Sequence, residues 1–261
     1  MKVVGTLLSA LLLAVLPLQA QDAEGLRLTL NIPELVLRVH DGGRVIKEYP
    51  VSPGLPGFDT PDGDFTIQRA EWNPWWRPPA REWAKNDKVT PPGPNNPMGR
   101  VKLFFAPYYY LHGTPHEKEL GTPASHGCVR MRNADVIELA TLLHHRANPT
   151  MAPSEIRGVL AKPTVTRNST FRSQVPLEIT YQPVVVRDGE LRVYRDVYKR
   201  NRIHTEGVYQ ALISAGYDVS RLDRAAVNEL VARARQAKGV FKVGLNEALG
   251  LERLATAAQQ D

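Results

Sequence analysis

The chain has 261 residues, 43% of them hydrophobic, with 33 Lys and Arg against 27 Asp and Glu for a formal charge of +6. That length and apolar content suit one large packed domain, or a domain with an appendage, and exclude a disordered or fibrous chain. The positive excess suits an anionic partner such as a wall polymer or a membrane surface. No nucleic-acid motif accompanies it, and a single cysteine, Cys128, excludes an internal disulfide.

The chain opens with a basic start (Met1, Lys2), an apolar run from Leu7 to Leu16, and "PLQAQDA" with small residues at Ala20 and Ala23. These are the three parts of a secretory signal peptide, and the run falls short of the ~20 residues a spanning helix needs. Residues 1–20 are therefore expected to be a leader, cleaved after Ala20 or Ala23. No cysteine lies near that site to carry a lipid. The mature chain is expected to be exported and to contain no transmembrane segment.

Residues 26 to 70 read as β structure. Leu26, Leu28 and Leu30 alternate with polar residues, as do Leu35, Leu37 and Val39, and Asp41-Gly42-Gly43 offers a hairpin turn before Val45, Lys47 and Tyr49. "TPDGD" at Thr60 to Asp64 is a second turn signal, leading into Phe65 and Ile67 at strand spacing. The next stretch, "EWNPWWRPPAREWAKNDKVTPPGPNNPMGR", carries Trp72, Trp75, Trp76 and Trp83 and many prolines, which remove backbone donors. It is expected to be a long ordered loop. Its aromatics either pin it to the body or wall a substrate groove, with Trp75 and Trp76 as the candidate groove residues.

After Arg130 the pattern turns helical. Asn133 is placed as N-cap and Val136, Ile137, Leu139, Ala140 and Leu143 form a stripe, while His144, His145 and Arg146 at the far end read as cations complementing the helix dipole. "VPLEITYQPVVVRDGELRVYRDVYKR" reads as a hairpin turning at Asp188-Gly189. From residue 206 onward the chain looks helical, with Ser220 capping a run through Leu222, Val227, Leu230 and Val231.

A lone thiol in an exported chain is either a small buried hydrophobe or a reactive group. Ser125, His126, Gly127 and Arg130 around Cys128 are polar or slender, which favours the reactive group. A cysteine nucleophile needs a base, donors for the developing oxyanion, and backbone slim enough for a carbonyl to approach. Gly127 supplies the slim backbone, and the amides of Gly127 and Cys128 are candidate oxyanion donors. Two histidines compete as base. His126 shares a strand face with Cys128 but is locked at strand spacing, whereas His112, followed by Gly113, comes from another element and can face the sulfur across a cleft.

"HGT" at His112 to Thr114, followed by "SHGCVRMRN" at Ser125 to Asn133, resembles the signature of the L,D-transpeptidase catalytic domain, also called the YkuD domain. "TPDGDF" at Thr60 and "PPGPNNPMGR" at Pro91 are similar to further family segments, and the resemblance spans roughly residues 26 to 205. It implies a mostly β fold, a YkuD-type β-sandwich of mixed strands with a helix after the cysteine, to which the tail adds an α-helical C-terminal extension. The expected organisation is a catalytic domain over residues 26–150, a β extension packing on it over 151–205, and the helical extension over 206–261.

The resemblance also implies roles. Cys128 would be nucleophile and His112 its proton acceptor and donor, oriented by the Gly113 carbonyl, with Ser125, His126, Gly127 and Arg130 supporting the cysteine loop. The substrate would be the stem peptide of peptidoglycan, attacked at the L-centre carbonyl of its diamino acid with loss of the terminal D-alanine. An amine of a second stem would resolve the thioester into a cross-link, water would give carboxypeptidase or endopeptidase activity, and a lysine of an outer-membrane lipoprotein would give protein anchoring. No metal or cofactor is required, and the location implied is the periplasm or cell wall. Two rival classes are a metal site built from His112, His116, His126 and Cys128, and a non-catalytic wall-binding module. The first lacks the glutamate of an HExxH hydrolase, and the second has no need of an exposed thiol.

Overall fold

The alternation read from the sequence produces strands, and eight of them close into a barrel. The computed structural model describes residues 25–147 and 150–251; the expected leader lies outside the described residues. The barrel strands are β1 (Arg27–Asn31), β2 (Val36–Asp41), β3 (Arg44–Ser52), β4 (Gly63–Trp72), β5 (Val101–Ala106), β6 (Tyr109–Thr114), β7 (Val129–Arg132) and β8 (Arg167–Thr180). Around the barrel they run β1-β2-β3-β7-β6-β5-β4-β8. The β6–β7 and β8–β1 pairs are parallel and the rest antiparallel, so the strands are mixed.

A sandwich was expected; one closed sheet is found. Long β8 explains the difference, because it pairs with β4 along one edge and with β1 along the other, leaving no edge unpaired. Leu28, Leu30, Leu37, Ile67, Leu103, Leu111, Val129 and Met131 are fully buried in the resulting core. Helix α1 (Asn133–Arg146) follows β7 without a loop and lays Val136, Leu139, Ala140 and Leu143 on the same core.

Two local expectations fail on α1. Asn133 makes no cap bond and instead ties the residue before β5 to the end of β6, as described below. His144 is not a cation at the helix end. It is buried against Trp72 and Phe171, bonded to the Ala140 carbonyl at 2.6 Å and Ser169 Oγ at 2.7 Å, and burial pushes its pKa down.

The 151–205 stretch divides between two bodies. Helix α2 (Pro153–Ala161) and β8 belong with the barrel, whereas β9 (Val184–Arg187) and β10 (Glu190–Val193) form the predicted hairpin in a separate three-stranded sheet. The expected helical tail supplies α3 (Thr205–Ser214), α4 (Arg224–Gln236) and α5 (Leu245–Leu249), but also β11 (Phe241–Gly244), which pairs with β10. Asp223, not Ser220, caps α4. Leu191, Val208, Leu212, Val227 and Leu230 give this smaller unit a core of its own.

The junction with the barrel is polar: Glu34, almost wholly buried, meets Arg38 at 2.6 Å, Tyr194 at 2.8 Å and Arg187 at 3.1 Å. Burial alone would raise the Glu34 carboxyl, yet Arg38, Arg187 and Tyr194 together hold it below its ordinary value. Among the described residues no helix is long and apolar enough to cross a membrane.

Candidate active site

The site begins with a bulge. In β4 the pairing with β8 shifts between Ile67 and Arg69. Ile67 faces the core before the shift, and Ala70 and Trp72 face it afterwards. Across this irregularity the phase of the strand reverses, which turns Arg69 and Glu71 to the outer face. Cross-strand register then builds two rows on that face. One runs Glu71, Lys102, His112, Arg130. The other runs Arg69, Phe104, Tyr110 and, one residue before the first paired position of β7, Cys128.

His112 is buried, and its Nδ1 lies 2.6 Å from the Gly113 carbonyl oxygen. A carbonyl only accepts, so Nδ1 carries the proton and the neutral ring keeps its lone pair on Nε2. Gly113 has a steric reason to be glycine: a Cβ there would lie 2.2 Å from Asn133 Oδ1. That oxygen accepts from the Arg100 amide at 2.9 Å, and Asn133 Nδ2 donates to the Thr114 carbonyl at 3.1 Å. The "HGT", "MGR" and "RN" pieces of the sequence are thus one interlocked contact.

The cysteine loop is held from three sides. Ser125 Oγ donates to the Cys128 carbonyl and accepts from the Gly127 amide at 3.0 Å. The Gly127 amide, expected as an oxyanion donor, is therefore engaged within the loop. Thr60 Oγ1 donates to the Gly127 carbonyl at 2.9 Å, and the Thr60 amide donates to Tyr198 Oη at 3.0 Å. Gly127 sits at φ +112°, with the Tyr109 ring only 2.8 Å from where a Cβ would be. Arg130 forms an ion pair with Glu119.

Burial pushes the Cys128 thiol up to about 11, with the Tyr110 amide and the Arg130 and Lys102 cations offsetting part of the rise. Burial likewise pushes His112 down to about 3; the Gly113 carbonyl opposes this, and Arg130 and Lys102 add to it. Both groups are neutral at pH 7. Lys102 is tied to Glu71 at 2.7 Å, so the neutral His112 stands between two cations, one of them paired within the row.

Cys128 and His112 line one cleft of about 1550 Å³, which Ser125, His126 and Arg130 also border, together with Trp75 and Trp76. The proline-rich loop is ordered, as expected, by a bridge between Trp76 and Thr90 and by Asn96, whose Nδ2 donates to the Pro74, Thr90 and Pro91 carbonyls. Trp72 stands apart from the other tryptophans, wholly buried in the barrel.

His126 is exposed at the cleft, with Trp83 stacked on it at 4.0 Å and Phe58 edge-on at 4.5 Å. The sequence reading left Trp83, Thr60, Lys102 and Arg69 out of the site. The alternation of β5 around Leu103 marks Lys102 as outward, but nothing local marks the other three. His116, a candidate in the rival metal reading, lies exposed in the turn after β6. Among the described residues no cluster of His, Cys, Asp and Glu is placed to share a metal ion.

The barrel thus carries His112 on β6 and Cys128 at the entry to the adjacent parallel strand β7, both lining one cleft. Residues 26–169 match the YkuD L,D-transpeptidase catalytic domain, and the chain belongs to that family. Among curated relatives it is similar to the probable L,D-transpeptidase YbiS of Escherichia coli K12, 30% identical over 59% of this chain and 57% of that protein. It is also similar to the probable L,D-transpeptidase ErfK/SrfK of Salmonella typhimurium, 33% identical over 42% of this chain and 38% of that one. The chain thus spans about two fifths to three fifths of the length of these relatives. An L,D-transpeptidase structure from Mycobacterium smegmatis overlays 60% of this chain and 58% of its own at 16% identity and a TM-score of 0.37.

Proposed function

We propose that this protein is a cysteine acyltransferase acting on peptidoglycan stem peptides outside the inner membrane, in the periplasm or cell wall. The observation that carries the reading is Cys128 and His112 on one cleft, with the histidine's Nδ1 committed to Gly113 and its Nε2 left to accept a proton. Because burial keeps both groups neutral at rest, the thiol proton passes to His112 Nε2 as the sulfur attacks. The new C–S bond forms at the L-centre carbonyl of the diamino acid. The tetrahedral intermediate then breaks its C–N bond, and His112 returns the proton to the departing D-alanine amine.

An amine of a second stem attacks the thioester, expels the sulfur and leaves an amide cross-link. Ser125 and Thr60 hold the loop in place for both steps, His126 braces it through Trp83, and Arg130 sets the charge beside His112. Trp75 and Trp76 wall the groove that holds the stem. Acyl transfer of this kind needs no metal or cofactor.

The test is mass spectrometry of the protein incubated with tetrapeptide-bearing muropeptides. Loss of D-alanine and a thioester mass on Cys128 are expected, both absent from Cys128→Ala. A cross-linked product identifies a stem amine as acceptor, a tripeptide identifies water, and an adduct with a lipoprotein lysine identifies protein anchoring. An alanine variant that still acquires the adduct would refute the assignment.

A further inference from the structure

Arg69 is the cleft cation that the acyl-transfer chemistry leaves without a task. The irregularity in β4 turns it outward into the row that ends at Cys128, and its guanidinium carbon lies over Phe104 at 3.5 Å from the ring centroid. Such stacking fixes the plane of the guanidinium while leaving its N–H edge to receive a carboxylate in bidentate fashion. No carboxylate among the described residues pairs with it. Its cross-strand neighbours are Phe104 and Thr170, and Glu71, next on the same face, is committed to Lys102. Arg77 and Arg81 also border the cleft without an ion pair, but they ride on the proline-rich loop, whereas Arg69 is built into the barrel.

Phe104 lies two strands from Cys128, which sets the Arg69 guanidinium roughly 10 Å from the thiol at the usual spacing of ~4.8 Å per strand. A carboxylate two to three residue lengths from the scissile carbonyl lies about 7–10 Å away. We infer that Arg69 forms a carboxylate subsite for the acyl-donor stem and selects donors carrying a free carboxylate there over donors amidated at that position. The inference rests on the acyl-transfer reading above. For a stem whose diamino acid carries a side-chain carboxylate, two carboxylates fall in range, that one and the one on the residue before it.

The experiment measures Cys128 thioester formation with three tetrapeptide donors: unmodified, amidated on the diamino-acid side chain, and amidated on the preceding residue. Wild type is expected to acylate one amidated donor about tenfold or more slowly than the unmodified one, as loss of a charge-assisted pair implies. Arg69→Gln is expected to bring that ratio close to one, chiefly by raising KM for the unmodified donor, and Arg69→Lys to keep part of the preference. Ratios identical in wild type and Arg69→Gln, or an equal slowing of all three donors with a lowered melting temperature, would overturn the subsite while leaving the acyl-transfer reading intact. A wild type that acquires no thioester from any donor would overturn both.

Discussion

His112 and His126 differ in what surrounds them, and that difference sorts their roles. His112 is buried, has its tautomer set by Gly113, and stands between Lys102 and Arg130. His126 is exposed and stacked on Trp83. Replacing His112 with Ala is expected to slow acylation by ~10²–10⁴-fold, the usual cost of losing a general base. His126→Asn should cost less and lower the melting temperature as it slows the reaction. A folded His126→Asn variant as inactive as His112→Ala would transfer the base role.

The pH profile is a second check at the same scale. With His112 pushed down to about 3, the imidazole stays neutral well below pH 6.5, so acylation should hold its rate at pH 5, where an ordinary histidine would be protonated. With Cys128 pushed up to about 11, alkylation by a small reagent without substrate should be slow at pH 7 and keep rising beyond pH 9. Alkylation that saturates near neutrality would mean a resting thiolate–imidazolium pair instead.

Among the elements, β6 and α1 approach closely at Gly113. Gly113→Ala forces a Cβ against Asn133 Oδ1 and is expected to destabilise the protein by about 1–3 kcal/mol, as overpacking does. Asn133→Ala in the same chain should recover part of that loss, because it removes the colliding atom, although it leaves the Arg100 amide and Thr114 carbonyl without their partner. Thermal melts of the two single variants and the double variant measure the coupling.

The strands between residues 26 and 70 and the β9–β10 hairpin were legible in the sequence, because alternation and turn residues are local signals, and the short motif that singled out His112, Cys128 and Arg130 is equally local. The phase reversal in β4 was not. A bulge shows itself only through the partner strand, so Arg69 and Glu71 could not be seen to face the cleft. Trp83 was equally hidden, since its contact with His126 joins positions 43 apart along the chain. Asn133 looked like a cap because its residue type and place before an apolar stripe suit one, but the backbone of Arg100, just before β5, and of Thr114 in β6 holds its side chain instead.

At the scale of the whole molecule, the barrel's closure by β8 and the smaller unit's polar junction govern stability. His40, His112 and His144 all have folded pKa values lowered chiefly by burial. The unfolded chain therefore takes up protons first as pH falls, so their contribution is complete above about pH 6.5 and declines below it, by up to ~1.4 kcal/mol per pH unit for each histidine. Glu34, held below its ordinary value, adds a further loss below about pH 4.5. Melting temperatures between pH 8 and pH 4 should fall along this course. A flat profile would show that these groups are not buried in solution.

Thr60 joins the cysteine loop to Tyr198, whose own amide donates to Tyr181 Oη at 2.7 Å. The clamp on the cysteine loop thus draws on both sides of position 128: Ser125 and Thr60 precede the thiol, whereas β8 closes the barrel some forty residues after it and Tyr198 follows β8. A chain that ends between them carries Cys128 without the Tyr198 end of that clamp. On the proposed acyl-transfer reading, the aim of the thiol therefore depends on residues far apart in the chain having met, Thr60 before it and Tyr198 after it.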